Sequence, residues 1–191
     1  DHPGLKLGIE YNSTIFDEGW KGILFEDYWR HREARQLEYA DSIGVVSAYL
    51  YRYLCSLCPA LGDRIFVNPN GVDTELFKPA DVSTRARSRS DLRIPDDAVV
   101  LGYIGGMESF RRLPQVVSQV AALRRDGLEQ LFLVIIGAGH DRACVRCAIA
   151  ESSMMSENWT CCPGSWVEHG RIPFLMAAFD VRSFPYSNPY G

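Results

Sequence analysis

The sequence lacks both a long apolar run and an N-terminal export signal. No stretch reaches the roughly 18 to 20 apolar residues that are needed to span a bilayer. The first residues, DHPGLKLGIEY, have neither the charged start nor the apolar centre of a signal peptide. Internal repeats and low-complexity tracts are also missing, which excludes solenoid and fibrous classes. We therefore expect a soluble, cytoplasmic protein.

The sequence also lacks an excess of positive charge. Its formal net charge at pH 7 is −4, whereas general nucleic-acid binders usually carry a clustered basic surface. Hydrophobic residues make up 47% and charged residues 23% of the 191 residues, a balance typical of a globular chain with a buried core. This length allows one domain or parts of two.

The six cysteines include two Cys-x-x-Cys pairs, and this spacing alone is compatible with a zinc site. The sequence context favours another interpretation. Cys55 and Cys58 close the last turn of a predicted helix before Pro59, while Cys144 and Cys147 share a helical face with Ala148. Zinc knuckles usually lie in glycine-containing turns. We therefore expect no metal, and we interpret the cysteines as reduced side chains packed as small hydrophobes.

Short, continuous apolar runs separated by helical patterns indicate parallel strands that are buried on both faces. Strands are predicted at residues 5–11, 43–46, 65–68, 99–105, 131–137, 159–162 and 181–185. The clearest helix has an apolar stripe that starts at Leu113, and another is predicted from Ser47, its N-cap, to Cys58. The predicted fold is α/β, with two Rossmann-like doubly wound parallel-sheet halves, each incomplete in this chain.

A break in composition divides these two halves. Large apolar residues nearly vanish from residues 80–97, which we interpret as an interdomain linker that leads into a helix. The predicted domains are therefore residues 1–79 and 98–191. Four arginines of the linker could form an anion-binding patch, although we favour a solvated face: Arg85, Arg87, Arg89 and Arg93.

The segment VVLGYIGGMESFRRLPQVV combines a strand, a glycine turn and a helix start. Gly105 and Gly106 would let the backbone approach a ligand, and the free amides at a helix start suit a phosphate. Arg111 and Arg112 could neutralise a diphosphate. A tight turn with two solvated arginines is an equally open interpretation, because glycine-rich strand exits are common in this fold class.

Two later segments repeat the arrangement of a strand that ends in small or polar residues. LFLVIIGAGHDR contains Gly137 and Gly139, but Arg142 occupies the last glycine position of a dinucleotide fingerprint. This departure disfavours a nicotinamide or flavin enzyme and leaves a phosphate or a sugar near Gly139 open. His140 is interpreted as a loop or N-cap residue and His169 as a solvated loop residue. Residues predicted to line a cleft at the strand ends are Gly164, Ser165, Trp166, Tyr186 and Tyr190.

The strand that ends at Asn68 runs into a rigid polar turn, NPNGVD. Asn70 and Gly71 can form the turn, and Asp73 is available to cap the following TELF segment. Between two half-Rossmann patterns, these three residues are predicted to mark a hinge at the margin of a cleft, without a catalytic role.

Several of these segments together carry a family resemblance. ADSIGVVS, DRIFVNPNGVDTELFKP, VVLGYIGG, VIIGAG and RIPFLMAAFDVRSFPYSNPYG occur in the order found in the family-four glycosyltransferases of the GT-B fold. The segment EYNST, residues 10–14, resembles one bacterial branch of that family. The resemblance covers nearly the whole chain, and Asn-Gly-Val-Asp followed by Phe77 and Pro79 is its most specific element.

The resemblance implies a fold, a reaction and a set of donor-binding residues. Residues 1–79 would belong to the acceptor-side domain and residues 98–191 to the nucleotide-sugar donor domain. The reaction would transfer a sugar from a nucleoside diphosphate sugar to a glycan, lipid-linked or other hydroxyl acceptor, with retention and without a metal or cofactor. By this resemblance the donor contacts are Gly105, Gly106, Arg111, Gly137, Gly139, Gly164 and Ser165. Arg112, from its place beside Arg111, and Tyr190, from its place at the predicted cleft, complete the predicted donor site.

This sequence departs from the family at several points. Gly106 stands where the family often has arginine, Arg111 where it usually has lysine, and Arg112 where it has glycine. The family's N-terminal glycine loop and histidine would precede Asp1, and its two-glutamate segment would follow Gly191. We therefore expect the residues present to be inactive alone, and to bind a nucleoside diphosphate weakly or not at all.

Two other functions remain open from the sequence. The chain could belong to a GT-B nucleotide-sugar epimerase, or it could be a non-catalytic or degenerate nucleotide-sugar-binding segment. The family's acceptors include polysaccharides and lipid-linked chains, so peripheral membrane contact is a further expectation, although no amphipathic basic helix supports it.

Overall fold

A computed structural model of the protein describes residues 4–14, 24–152, 160–161 and 166–185. The chain divides into two compact units, Asp1–Val72 and Asp73–Gly191. Each unit has its own parallel sheet and its own apolar core. The predicted α/β class is therefore confirmed. Among the described residues, no helix is long and apolar enough to cross a membrane.

The first unit is a three-stranded parallel sheet with two helices. Its elements in chain order are β1 (Gly8–Tyr11), α1 (Glu26–Leu37), β2 (Ser42–Val45), α2 (Ala48–Leu57), a 3-10 helix (Pro59–Arg64) and β3 (Ile65–Val67). The strand order is β1-β2-β3, and the core lies around Ile43 and Leu54, which are fully buried. Ser47 caps α2 as predicted, because its hydroxyl accepts the N–H of Leu50 at 3.2 Å.

The second unit is a four-stranded parallel sheet in the order β6-β5-β4-β7. Its elements are α3 (Val82–Asp91), β4 (Val99–Ile104), α4 (Leu113–Arg125), β5 (Leu131–Ile136), α5 (Arg142–Glu151), β6 (Thr160–Cys161), α6 (Ile172–Met176) and β7 (Val181–Arg182). Val100, Val134 and Ile136 are completely buried at the centre of the sheet. Each predicted strand of the chain is present. The bounds are shorter than predicted, except that β2 has the predicted length and lies one residue earlier. Residues 159 and 162 lie outside the described residues.

The segment predicted as a linker contains helix α3, which forms ion pairs with Asp180 of the second unit. Arg89 donates to a carboxylate oxygen of Asp180 at 2.6 Å, and Arg85 donates to the other oxygen. The backbone N–H of Val100, at the start of β4, also donates to Asp180 at 2.7 Å. A solvated face is therefore the wrong interpretation for Arg85 and Arg89, whereas Arg87 and Arg93 are exposed. The predicted domain bounds stay a prediction.

The four described cysteines outside the sheet are free thiols in two different environments. Cys55 and Cys58 are half-buried and pack against the core of the first unit, as predicted. Cys144 and Cys147 are exposed on α5, so the prediction that they pack as small hydrophobes is wrong. The reason is that Val145 and Ile149 occupy the buried face of this helix.

Replacing Asp180 with asparagine should lower the free energy of unfolding of the second unit by about 1–3 kcal/mol. The guanidinium of Arg89, whose side chain is only 11% exposed, would lose its carboxylate partner. Urea unfolding followed by circular dichroism measures the change. Asp97→Asn, at an exposed carboxylate of the same unit, is the matched control and should leave the midpoint unchanged.

The effect of Asp180→Asn should also depend on pH. Burial alone would raise the pKa of Asp180, but the N–H of Val100 and the guanidinium groups of Arg85 and Arg89 outweigh burial and lower it. Because the folded-state pKa is lowered, the stabilisation is complete above the unfolded value of about 3.9 and is lost as the pH falls through the folded value. The difference in the free energy of unfolding between the unaltered protein and Asp180→Asn should therefore decrease at low pH. A difference that stays constant down to about pH 2 would contradict this role of Asp180.

Candidate functional site

A pocket of about 280 Å³ lies at the carboxyl ends of β4 and β5 in the second unit. Ligands of open parallel sheets bind at this end of the strands. The residues that line the pocket come from the end of each strand, from the turn that follows it, and from the segment before α6: Ile104, Gly105, Gly106, Ile136, Gly137, Ala138, Trp166, Val167, His169 and Ile172.

Backbone hydrogen bonds join the two turns that form the floor of the pocket. We name residues 105–107 the first glycine turn and residues 137–139 the second glycine turn. The N–H of Gly105 donates to Ile136 O at 3.0 Å, and the N–H of Met107 donates to Ala138 O at 2.9 Å. Met107 O in turn accepts the N–H of Asp141 at 2.8 Å. The sheet pairing thus continues beyond the strands and fixes the two turns against each other.

Close packing explains why the second glycine turn contains Gly137 and Gly139. Their φ angles are +147° and +157°, a region that side chains strongly disfavour. A Cβ atom on Gly137 would lie 1.9 Å from Gly105 O, and one on Gly139 would lie 2.6 Å from Met107 N. These two glycines are therefore required by the backbone of the first glycine turn, whether or not a ligand is bound.

Gly106 differs from the other three glycines of these turns. A Cβ atom there would meet no atom closer than 3.8 Å, whereas one on Gly105 would lie 2.9 Å from the Tyr103 hydroxyl oxygen. That hydroxyl donates to Gly106 O at 2.5 Å. Burial raises the pKa of Tyr103, so the phenol remains a donor at neutral pH. Gly106 is exposed, and packing within the protein does not explain why this position is a glycine.

The two predicted diphosphate arginines lie before α4 and are not among the residues that line the pocket. Arg111 ends a 3-10 turn, Ser109–Arg111, and its guanidinium carbon lies 4.9 Å from the centre of the Phe110 ring. Arg112 is exposed and left-handed, with φ +49°, at the N-cap of α4. The structure therefore brings Gly105, Gly106 and Gly137 together in the pocket wall, but not the arginines.

Two further side chains that line the pocket come from the segment before α6. Trp166 is 88% exposed. His169 is also exposed, and its ring contacts that of Phe77 edge to face at a centroid distance of 5.4 Å. His169 is solvent-exposed as predicted, but the sequence predicted neither its place in the pocket lining nor its contact with Phe77. His140 lies in the turn before Asp141, the N-cap of α5.

The remaining predicted residues are partly tested by the structure. Asp73 caps the following turn as predicted, since its carboxylate accepts the N–H groups of Glu75 at 3.0 Å and Leu76 at 3.1 Å. Asn70 and Gly71 are exposed, and their hinge role stays a prediction. Residues outside the described ranges are Gly164, Ser165, Tyr186 and Tyr190. Within the described ranges, no group of three or more His, Cys, Asp or Glu residues could hold a metal ion.

A second pocket of about 300 Å³ lies elsewhere in the same unit. Its wall combines apolar side chains with two cations, and it is lined by Phe77, Lys78, Pro79, Ala80, Pro173, Met176, Ala177 and Arg182. Phe77 thus belongs to this wall and also contacts His169 of the first pocket.

Several solved structures have a similar fold, and two of them are named as glycosyltransferases. HepE from Anabaena, determined in complex with UDP and glucose, matches with a TM-score of 0.70 and 16% identity over 93% of this chain and 45% of its own. Sucrose-phosphate synthase from Thermosynechococcus elongatus matches with a TM-score of 0.65 and 21% identity over 87% of this chain and 40% of its own. These likenesses confirm the predicted GT-B fold of two Rossmann-like halves.

Curated relatives with similar sequences are named as glycosyltransferases. The D-inositol 3-phosphate glycosyltransferase of Nocardia farcinica is 30% identical over 159 residues, which is 80% of this chain and 34% of the relative. That of Stackebrandtia nassauensis is 36% identical over 87 residues, 44% of this chain and 19% of the relative. No protein-family model matches the chain. The chain is similar in sequence to these glycosyltransferases, and it spans about a third or less of the two relatives.

The packing of the glycine turns predicts opposite results for two alanine substitutions. Gly137→Ala should lower the stability of the second unit by about 2–4 kcal/mol, because the new Cβ meets Gly105 O and the φ angle is strained. Gly106→Ala should change stability by less than about 0.5 kcal/mol, since its Cβ has space. Thermal unfolding of both variants measures the difference, and equal losses would refute the assigned packing.

Proposed function

We propose that this chain binds the nucleoside diphosphate part of a sugar donor in the pocket at the ends of β4 and β5. The complete protein would transfer the sugar, with retention, to a hydroxyl group of a glycan or lipid-linked acceptor. The relatives' names support glycosyl transfer, and the HepE complex supports UDP as a donor fragment. The observation that carries the proposal is Gly106, whose backbone is open to a ligand at the pocket wall.

The lining of the pocket suits a nucleotide better than a free sugar. Ile104, Ile136, Val167 and Ile172 provide apolar surface, and the exposed indole of Trp166 offers a face on which a base can stack. The N–H of Gly106 and the positive end of the α4 dipole would meet the phosphates, because the N–H groups of Gly105 and Met107 already donate to Ile136 O and Ala138 O. The pocket volume of about 280 Å³ accommodates part of a nucleotide sugar, near the lower limit of ligand pockets.

Stabilisation of the leaving diphosphate is the main chemical demand of this reaction. As charge develops on the phosphate oxygens, cationic and N–H donors fixed in advance lower the barrier. Arg111 and Arg112 lie on the segment between the first glycine turn and α4, and we propose that they supply this charge when a donor is bound. We propose no metal and no cofactor, since guanidinium groups can compensate the diphosphate charge directly.

We further propose that the protein acts in the cytoplasm and that its first unit binds the acceptor. A glycan or lipid-linked acceptor, a role in polysaccharide biosynthesis and peripheral membrane contact are proposed from the family resemblance. An epimerase or a non-catalytic binding segment would use the same donor pocket, so binding alone does not distinguish them from a transferase. Release of nucleoside diphosphate only when an acceptor is added would favour transfer.

Nucleotide binding can be tested with saturation-transfer NMR of UDP, GDP and ADP in the presence of the chain, a method that detects weak binding. Gly106→Ala should weaken binding of the preferred nucleotide by about tenfold, close to 1.4 kcal/mol, because the new Cβ obstructs the approach of phosphate. Trp166→Ala should reduce the signals of the base protons. Gly62→Ala, at a glycine of the first unit with open space, is the matched control. Unaltered signals in both pocket variants would exclude this pocket as the binding site.

Removal of divalent cations provides a separate test. Addition of EDTA should leave the affinity for the nucleoside diphosphate unchanged, because we expect arginines and backbone amides to compensate the charge. The same NMR titration with added Mg²⁺ measures whether the ion increases the affinity for the nucleoside diphosphate. An affinity that requires Mg²⁺ would rule out the metal-independent mode of binding.

A further inference from the structure

Helix α5 presents two thiols, Cys144 and Cys147, side by side to solvent. Both are free and exposed, while the neighbouring Val145 and Ile149 are buried in the second unit. Residues three apart on an α-helix share one face, with Cβ atoms about 5–6 Å from each other. The pair therefore forms a dithiol on a rigid element, away from the residues that line the two pockets.

The helix geometry disfavours a disulfide between these thiols. A disulfide needs Cβ atoms about 3.5–4.5 Å apart, which is closer than the helix allows. The first turn of α5 cannot move freely, because Val145 N–H donates to Asp141 O at 2.9 Å and Asp141 N–H donates to Met107 O at 2.8 Å. A metal ion between the sulfur atoms adds two metal–sulfur bonds to the bridge, each about 2.3 Å long in the case of zinc, and can span the distance without unwinding the helix.

The number and type of ligands determine which ion would fit. Thiolates prefer soft cations. Structural zinc is almost always bound by four protein ligands, and the described part of the chain contains no group of three or more His, Cys, Asp or Glu residues suited to a metal. Two thiolates alone can complete the coordination of an ion that binds only two sulfur ligands, and Cu(I) is such an ion.

We propose that Cys144 and Cys147 form a surface site for a soft, two-coordinate cation of the Cu(I) type. On binding, each thiol releases its proton to solvent and two Cu–S bonds form. Copper keeps its oxidation state, so the step requires no oxidant or reductant. The proposal is independent of glycosyl transfer, since it rests on α5 alone.

The other Cys-x-x-Cys pair provides an internal comparison. Cys55 lies in α2, whereas Cys58 follows the last residue of that helix, and both are half-buried. Burial, together with the nearby Glu38 and Glu33 carboxylates, raises the pKa of the Cys58 thiol. A thiol that resists deprotonation and is partly covered is a poorer ligand. The same spacing in the sequence therefore predicts two different reactivities.

Competition for Cu(I) tests the site in the whole chain. Reduced protein is titrated anaerobically into the Cu(I) complex of bicinchoninate, whose colour decreases as the protein removes copper. The variants are C144S, C144S/C147S and, as the matched control, C55S/C58S. Cys161 and Cys162 are common to all of them, so the difference between variants isolates each pair. Thermal unfolding by circular dichroism verifies that the exposed substitutions leave the fold intact.

We expect the unaltered protein to take one more equivalent of Cu(I) per chain from bicinchoninate than C144S/C147S does. C144S alone should show the same deficit, because two-coordinate binding needs both sulfur atoms. C55S/C58S should remove as much copper as the unaltered protein. Equal uptake by C144S/C147S and the unaltered protein, retention of the equivalent by C144S, or a deficit found only in C55S/C58S would overturn the proposal.

Discussion

The backbone hydrogen bonds between the two glycine turns are the interaction on which the candidate site depends. Parallel strands normally diverge where their pairing ends, but here Met107 bonds to Ala138 and to Asp141 beyond the ends of β4 and β5. This approach is possible only because Gly137 and Gly139 have no Cβ atom. The two turns then form one surface, and the open backbone of Gly106 lies on it. Gly106, where a Cβ atom would have space, thus lies next to Gly105, where a Cβ atom would lie 2.9 Å from the Tyr103 hydroxyl oxygen.

The fold was largely predictable because it depends on patterns that are local in sequence. Continuous apolar runs marked each strand of both sheets, and Ser47 marked the start of α2. The packing of α3 was not predictable, because its arginines pair with Asp180, more than 90 residues further along the chain. An arginine-rich segment has the same local pattern whether it is solvated or pairs with a distant carboxylate. Only the tertiary structure distinguishes the two, and the same applies to the exposed and half-buried cysteine pairs.

The candidate site was predictable in position but not in the role of each residue. Strand exits rich in glycine indicated the correct edge of the sheet, yet the sequence could not separate Gly137, which packs against Gly105, from Gly106, which has open space. The pairing of His169 with Phe77 also joins residues that are far apart in the chain. Arg111 was assigned by family resemblance and Arg112 by its position beside Arg111. Because neither lines the pocket, their proposed contribution depends on how the phosphates of a donor would extend toward α4.

The central claim is that the surface formed by the two glycine turns binds the nucleoside diphosphate. Amide NMR of the isotope-labelled chain during a titration with UDP tests it most directly, since each backbone N–H reports its own environment. The account predicts that the largest shifts occur at Gly106 and Ala138, with a further shift of the Trp166 indole N–H. Shifts confined to Lys78, Ala80 and Arg182, which line the second pocket, would contradict it.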